Sequence, residues 1–267
     1  MMKLGVSSSC LYPEITENSV KYLCENGVEI FEIFFNSYCE LNGSILNEIK
    51  SIVNKNAANV LSVHPFTSGF EPLMLFSDYE RRFEDALEFF KHYIGAAQEL
   101  GAKIIVLHGD RAERNDRDDR YIERYHKLFN MAKKEGVFIA QENVSRCRSR
   151  DIDFIRRMKN ELADDVRFVL DLKQARRSEA DFRELINIMN EKLVHIHFND
   201  FDKESDCLLP SKSGECDFNE IFSILKEKNI NASGVIEVYR HNYGEYMELV
   251  KSLEYLKEIY NKNSSLH

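Results

Sequence analysis

Eight β-rich runs punctuate the chain: KLGVSS, VEIFEIFF, VLSVHPF, KIIVLHG, VFIAQEN, VRFVLDL, LVHIHFN and SGVIEVY. Each is dominated by β-branched and aromatic residues. Between them the apolar positions change period. In residues 78–101, Phe83, Leu87, Phe90, Ile94, Ala97 and Leu100 recur at three- and four-residue intervals, and Gly101 stands where a helix C-cap glycine belongs. The same pattern predicts helices over 14–26, 43–57, 117–135, 151–163, 179–191, 217–229 and 243–261.

Strict alternation of strand and helix predicts a parallel sheet covered by helices. Eight units fit a closed (β/α)8 TIM barrel in a single domain. The competing architecture is an open doubly wound sheet, which usually has fewer strands and often a glycine-rich first turn; GVSSSC contains no G-x-G-x-x-G. No linker or low-complexity break interrupts the pattern. The barrel is therefore expected over 1–262, with 263–267 a frayed tail.

Composition narrows the class. The net charge of −9 opposes non-specific binding to nucleic acid or anionic membranes. No apolar run approaches the roughly 20 residues that span a bilayer, and the N-terminal segment lacks the layout of a signal peptide. Six cysteines without a C-x-x-C pair read as reduced thiols. The expectation is a soluble cytoplasmic protein, compatible with a homo-oligomer.

Polar residues then stand out against the apolar strands. LVHIHFND, 193–200, places His195 and His197 on one side of a strand that otherwise reads as buried. Strand two carries Glu32, strand three ends in His64, strand four in His108, strand five in Glu142 and Asn143, strand six in Asp171, strand seven in His197 and Asp200, and strand eight in Glu237. In a barrel of this kind chemistry sits at the C-terminal ends of the strands. A histidine closing a strand is often only a hydrogen-bonded structural group. Carboxylates converging on one barrel mouth repel one another unless a cation lies between them. Glu142, Asp171, His197 and Glu237 form an oxygen-rich set with one nitrogen, suited to Mn²⁺, Mg²⁺, Co²⁺ or Zn²⁺. His195, two residues nearer the strand start, is expected one layer deeper, in a supporting or core role.

At these residues the sequence resembles the xylose isomerase-like superfamily of TIM barrels. The likeness runs from MKLGVSS through IEVY and rests on FEIFF, QEN, LDL, HIHFND, SGECDF and IEVY in that order. It implies that Glu142, Asp171, His197 and Glu237 are metal ligands, with Glu142 and Glu237 also moving protons on opposite faces of the substrate. Two positions depart from the pattern. Gln174 stands where the family commonly has a histidine, and Asp206 is followed by Leu208 where the repair enzymes of the group carry Asp-x-His. A three-zinc phosphodiesterase site therefore lacks ligands.

The reaction expected from the resemblance is isomerisation or epimerisation of a sugar, sugar phosphate or related polyhydroxy ketone through an enediolate. His64, His108, Gln174, Lys173 and Arg240 are its candidate substrate-binding residues, the two histidines becoming further ligands if the site is binuclear. Arg146, Arg148 and Arg150 lie in the loop after strand five, within reach of an anionic substrate group or simply solvated. The partner implied is a small carbohydrate, with neither nucleic acid nor membrane. A metal-dependent lyase or hydrolase on the same barrel, inosose dehydratase-like or endonuclease-four-like, is the alternative. A catalytically silent carbohydrate-binding barrel is a third; two facing glutamates speak against it.

Overall fold

The computed structural model describes residues 2–113 and 117–265. Eight parallel strands close on themselves in the order of the chain. They are β1 (Leu4–Ser7), β2 (Ile30–Phe34), β3 (Asn59–His64), β4 (Ile104–Leu107), β5 (Phe138–Glu142), β6 (Phe168–Asp171), β7 (Leu193–Phe198) and β8 (Ser233–Ile236). The seam between β8 and β1 pairs Leu4 with Gly234 and Val6 with Ile236. Every predicted strand is present, and the (β/α)8 barrel is the fold.

The helices are α1 (Thr16–Glu25), α2 (Gly43–Lys55), α3 (Glu80–Leu100), α4 (Asp118–Lys134), α5 (Ile152–Leu162), α6 (Leu172–Arg177), α7 (Phe182–Met189), α8 (Phe218–Glu227) and α9 (Met247–Ser265). In α3, Phe83, Phe90, Ile94, Ala97 and Leu100 are buried as the periodicity requires. Gly101 ends the helix at φ 75°, its N–H returning to the Ala97 carbonyl. The pattern did not reveal α6. It is too short for a periodic signal and starts directly from β6, with Asp171 as its N-cap. Residues 266 and 267, the end of the expected frayed tail, lie outside the described residues.

Because successive side chains in a strand point to opposite faces, each strand divides its residues between two cores. Phe31, Ile33, Ile105, Leu107, Ile139, Leu170, Ile196 and Phe198 face the helices and belong to the large apolar core. The barrel interior is split. One part is a small apolar cluster of Ile104, Val106, Ala140 and Val169. The other is polar, with Ser7, Glu32, Ser62 and His195 all buried. The positions that follow inward at the C-terminal ends are His108, Glu142, Asp171, His197 and Glu237.

Small residues let the barrel close. A Cβ on Gly234 would lie 2.4 Å from a ring carbon of Phe198, and one on Gly5 2.1 Å from the Ile30 carbonyl oxygen. Among the described residues no helix is long and apolar enough to cross a membrane, and the six cysteines are free.

Candidate metal and active site

Glu142 and Asp171 close β5 and β6, His197 sits near the end of β7, and Glu237 is the first residue after β8. One ligand atom from each lies within 4.8 Å of the others. The Nδ1 of His197 is 3.3 Å from Glu237 Oε2, 3.6 Å from Glu142 Oε1 and 3.8 Å from Asp171 Oδ2. A ring nitrogen thus faces three carboxylates.

Glu32 sets that orientation. Its Oε2 lies 3.2 Å from His197 Nε2 and accepts from Ser62 Oγ at 2.8 Å, while its Oε1 accepts from Ser7 Oγ at 3.1 Å. His195, the deeper of the two histidines, places Nε2 3.5 Å from the same Glu32 oxygen and Nδ1 2.8 Å from Ser233 Oγ. The polar half of the barrel interior is therefore one connected network around the Glu32 carboxylate, and burial is offset by pairing. Donation of the Nε2 proton of His197 to Glu32 leaves Nδ1 as the atom that faces the carboxylates. Glu32, His195 and His197 are themselves close enough to hold an ion. The serine and histidine bonds already made to Glu32 suit a bracing role better.

Asp171 is divided in the same way. Its Oδ1 accepts from the Gln174 N–H at 3.0 Å and from Asn199 Nδ2 at 3.1 Å, leaving Oδ2 toward the cluster. Asn143 clamps its backbone, receiving the Asp171 N–H at 2.7 Å and donating to the Asp171 carbonyl at 3.1 Å. The outcome is a set of buried atoms with no hydrogen-bond partner: Glu142 Oε2, Asp171 Oδ2 and His197 Nδ1. Orphaned polar atoms in a buried site are costly. Lys173 Nζ, 3.2 Å from Asp171 Oδ2, and His108 Nε2, 2.9 Å from Glu142 Oε2, offset part of that cost by charge. The two carboxylate oxygens, with His197 Nδ1 once it gives up its proton, converge as acceptors that fit a cation, and the donor set fits a divalent one.

Charge in the cluster is mutually stabilised. Burial alone would raise the Glu142 carboxyl, but the imidazoles of His108 and His197 hold it at about 2. Burial likewise opposes ionisation of Glu237, which His197 and Lys173 nonetheless keep well below the usual carboxylate range. For His197 burial disfavours the charged ring, and Glu237 and Glu32 outweigh it, so a proton is held well above the ordinary histidine range. The site attracts positive charge whether a proton or an ion supplies it.

Above the cluster opens a cavity of about 500 Å³, with Glu142, Glu237, His64, His108 and Gln174 on its walls. Two of the cluster's carboxylates, Glu142 and Glu237, face into it, and Tyr12, Phe34, Val238 and Tyr239 add apolar wall. The xylose isomerase-like TIM barrel family profile matches residues 20–259. The chain belongs to this family. None of the curated proteins matches the sequence. Among solved structures, a D-tagatose 3-epimerase-like protein superposes with a TM-score of 0.81 at 20% identity, covering 99% of this chain and 100% of that one. The 3-keto-D-glucoside 4-epimerase of E. coli gives 0.76 at 19% identity over 97% and 100% of the two chains. The D-allulose 3-epimerase of Methylomonas sp., solved with D-allulose, gives 0.81 at 13% identity over 97% of each.

The remaining sequence candidates of this xylose isomerase-like barrel divide into those at the cavity and those outside it. His108 Nε2 lies 2.9 Å from Glu142 Oε2, off the line of a hydrogen bond, and 3.0 Å from His64 Nε2. His64, His108 and Glu142 form a further group with ion-binding spacing, sharing Glu142 with the first. Gln174 uses its side-chain oxygen to accept from Ser145 N and Oγ, at 3.0 and 2.7 Å, and so pins the loop after β5. Arg146 reaches the cavity, 3.4 Å from His108 Nδ1. Arg148 instead pairs with Asp118 and Asp151, and Arg150 is exposed. Arg240 lines the cavity while donating to the Tyr243 carbonyl at 2.8 Å. Asp200 is outside the site. Its carboxylate accepts from the Phe201, Ser211 and Cys216 N–H groups and organises the loop after β7.

Glu32 is the residue whose role sequence reasoning missed. Its only signal was an acid inside an apolar strand, and its partners come from β1, β3 and β7. Glu32→Gln is expected to weaken divalent-ion affinity by roughly 10–100-fold, as loss of a partner that orients a ligand typically does. Calorimetric titration with Mn²⁺ checks this; unchanged affinity would show that His197 needs no brace.

Proposed function

We propose that this chain is a divalent-metal-dependent epimerase or isomerase of a ketose or related polyhydroxy ketone, with Glu142 and Glu237 exchanging protons with the substrate. The carrying observation is the pair of glutamates itself. Both extend from the barrel rim into one cavity, and His197 Nδ1 lies between them, 3.6 Å from one and 3.3 Å from the other. Several fold neighbours bear the names of sugar epimerases, which supports the choice of substrate class.

Glu142, Asp171, His197 and Glu237 would hold the ion, which when bound polarises a carbonyl and lowers the cost of an enediolate. One glutamate removes the proton on the carbon beside the carbonyl. The C–H electron pair moves into the new C=C bond and the carbonyl π pair onto oxygen. The second glutamate, having first taken up a proton from solvent, gives it to the other face; the C=C pair re-forms C–H as C=O is restored, and the two carboxyls then exchange protons with water to reset the site. Ionised carboxylates are ready acceptors at neutral pH, and burial behind the rim keeps bulk water from competing. His64, His108, Gln174 and Arg240 would contact hydroxyl groups from the walls.

A hydrolytic reading draws on His64, His108 and Glu142, whose spacing suits a second ion. Against it, Gln174 carries an amide rather than an imidazole, and Asp206 is held bidentately by Arg177. Metal-stripped protein reloaded with Mn²⁺, Mg²⁺, Co²⁺ or Zn²⁺ and offered ketoses, inososes and abasic DNA separates the readings. Metal-dependent interconversion of a ketose pair is expected. Dehydration or strand cleavage without any epimerisation would replace this function with a lyase or a hydrolase.

A further inference from the structure

Lys173 stands where a cation is wanted and is already one. It lies in the first turn of α6, two residues after Asp171, and is almost completely buried. Its Nζ is 3.2 Å from Asp171 Oδ2 and 3.3 Å from Glu237 Oε2, donating a hydrogen bond to the latter. These are two of the oxygens that face the ion site. The ring of Tyr239 covers the ammonium at 4.8 Å, leaving it little contact with water.

We propose that Lys173 is a built-in counter-cation of the carboxylate cluster, competing with the divalent ion for Asp171 Oδ2 and Glu237 Oε2 and so setting how tightly the ion is held. The assignment rests on the metal reading above. Three carboxylates, Glu142, Asp171 and Glu237, carry three negative charges; one ammonium and one divalent ion bring that sum to zero. Without the ion, Lys173, His197 and His108 are the positive groups beside the carboxylates, and of these only Lys173 touches both Asp171 Oδ2 and Glu237 Oε2 within 3.3 Å. With the ion, Lys173 repels it at close range in a site where screening is weak. The lysine cannot retreat far, because the helical turn that carries it is capped by Asp171 itself. Every divalent ion at this place is thereby held less tightly by a similar factor, and without an ion the carboxylates keep a positive partner.

Calorimetric titration of metal-stripped wild type, Lys173→Met and Lys173→Arg with Mn²⁺ and with Mg²⁺ tests this. Lys173→Met is expected to bind Mn²⁺ at least tenfold more tightly at unchanged stoichiometry, about 1.4 kcal/mol, and Lys173→Arg to stay near wild type. Without metal, Lys173→Met should melt below wild type, and saturating Mn²⁺ should close that gap. If Lys173→Met does not fold, Lys173→Gln keeps hydrogen bonding without the charge and should move affinity the same way. Equal or weaker Mn²⁺ affinity in a folded neutral variant overturns the assignment while leaving the metal site standing. Failure of Mn²⁺ to bind wild type and variants alike overturns both.

Discussion

Glu142→Gln and Glu237→Gln are each expected to lower ketose turnover by roughly 10²–10⁴-fold, the range typical of a lost general acid or base, while metal uptake stays stoichiometric. Glutamine keeps a carbonyl oxygen of nearly the same reach, so a coordinating contact survives, but an amide does not accept and return a proton at neutral pH. The two variants should differ in detail because their surroundings do. Glu142 is 2% exposed and packed against His64 and His108, whereas Glu237 is 15% exposed at the cavity side beside Lys173. In the proposed mechanism the carboxylates act in sequence on one proton exchange, so the double variant should lose little beyond the more damaged single one. Deuterium from D₂O at the epimerised carbon is the companion measurement. Near-normal turnover in either single variant would remove the paired-glutamate mechanism.

His197→Ala should have the largest effect on the protein itself. It removes the only nitrogen of the four-residue set and simultaneously strips Glu32 of its Nε2–H partner, a contact of 3.2 Å between two side chains of 0% exposure. Breaking a buried charged pair by deleting one member costs about 3–5 kcal/mol. At about 2–4 °C per kcal/mol for a domain of this class, the metal-free variant should melt roughly 10 °C lower. Its ion affinity should fall further than the roughly 10–100-fold lost with an orienting partner. Asp171→Asn tests the same cluster more gently, since its amide still accepts the α6 capping bond. Metal content by elemental analysis together with thermal melts decides: stoichiometric metal in both variants would mean that other residues hold it.

The strands and their polar ends were legible because their signal is local. Period-two alternation placed Glu142, Asp171 and His197 at strand ends, and strand order alone implied that those ends share a rim. His195 was correctly expected deeper than His197, since two residues along a strand shift a side chain by one layer. Local signal also explains the gaps. The short helix α6 carries no repeat for a pattern to detect. Asp200, similar to the others on paper, turned out to bond backbone N–H groups of its own loop, because the chain bends away after Phe198.

What the sequence by itself determined, then, is the barrel, the shared rim where its strands end and most of the chemical kinds of side chain offered there. Each follows from periodicity and from the cost of burying charge in an apolar strand. Which of those side chains meet was decided only by the closed barrel. Glu32 and His197 are 165 residues apart in the chain, and Lys173 reaches Glu237 across 64. Such pairings depend on strand register and on the side-chain directions that closure imposes, and neither is encoded in any local window of the sequence.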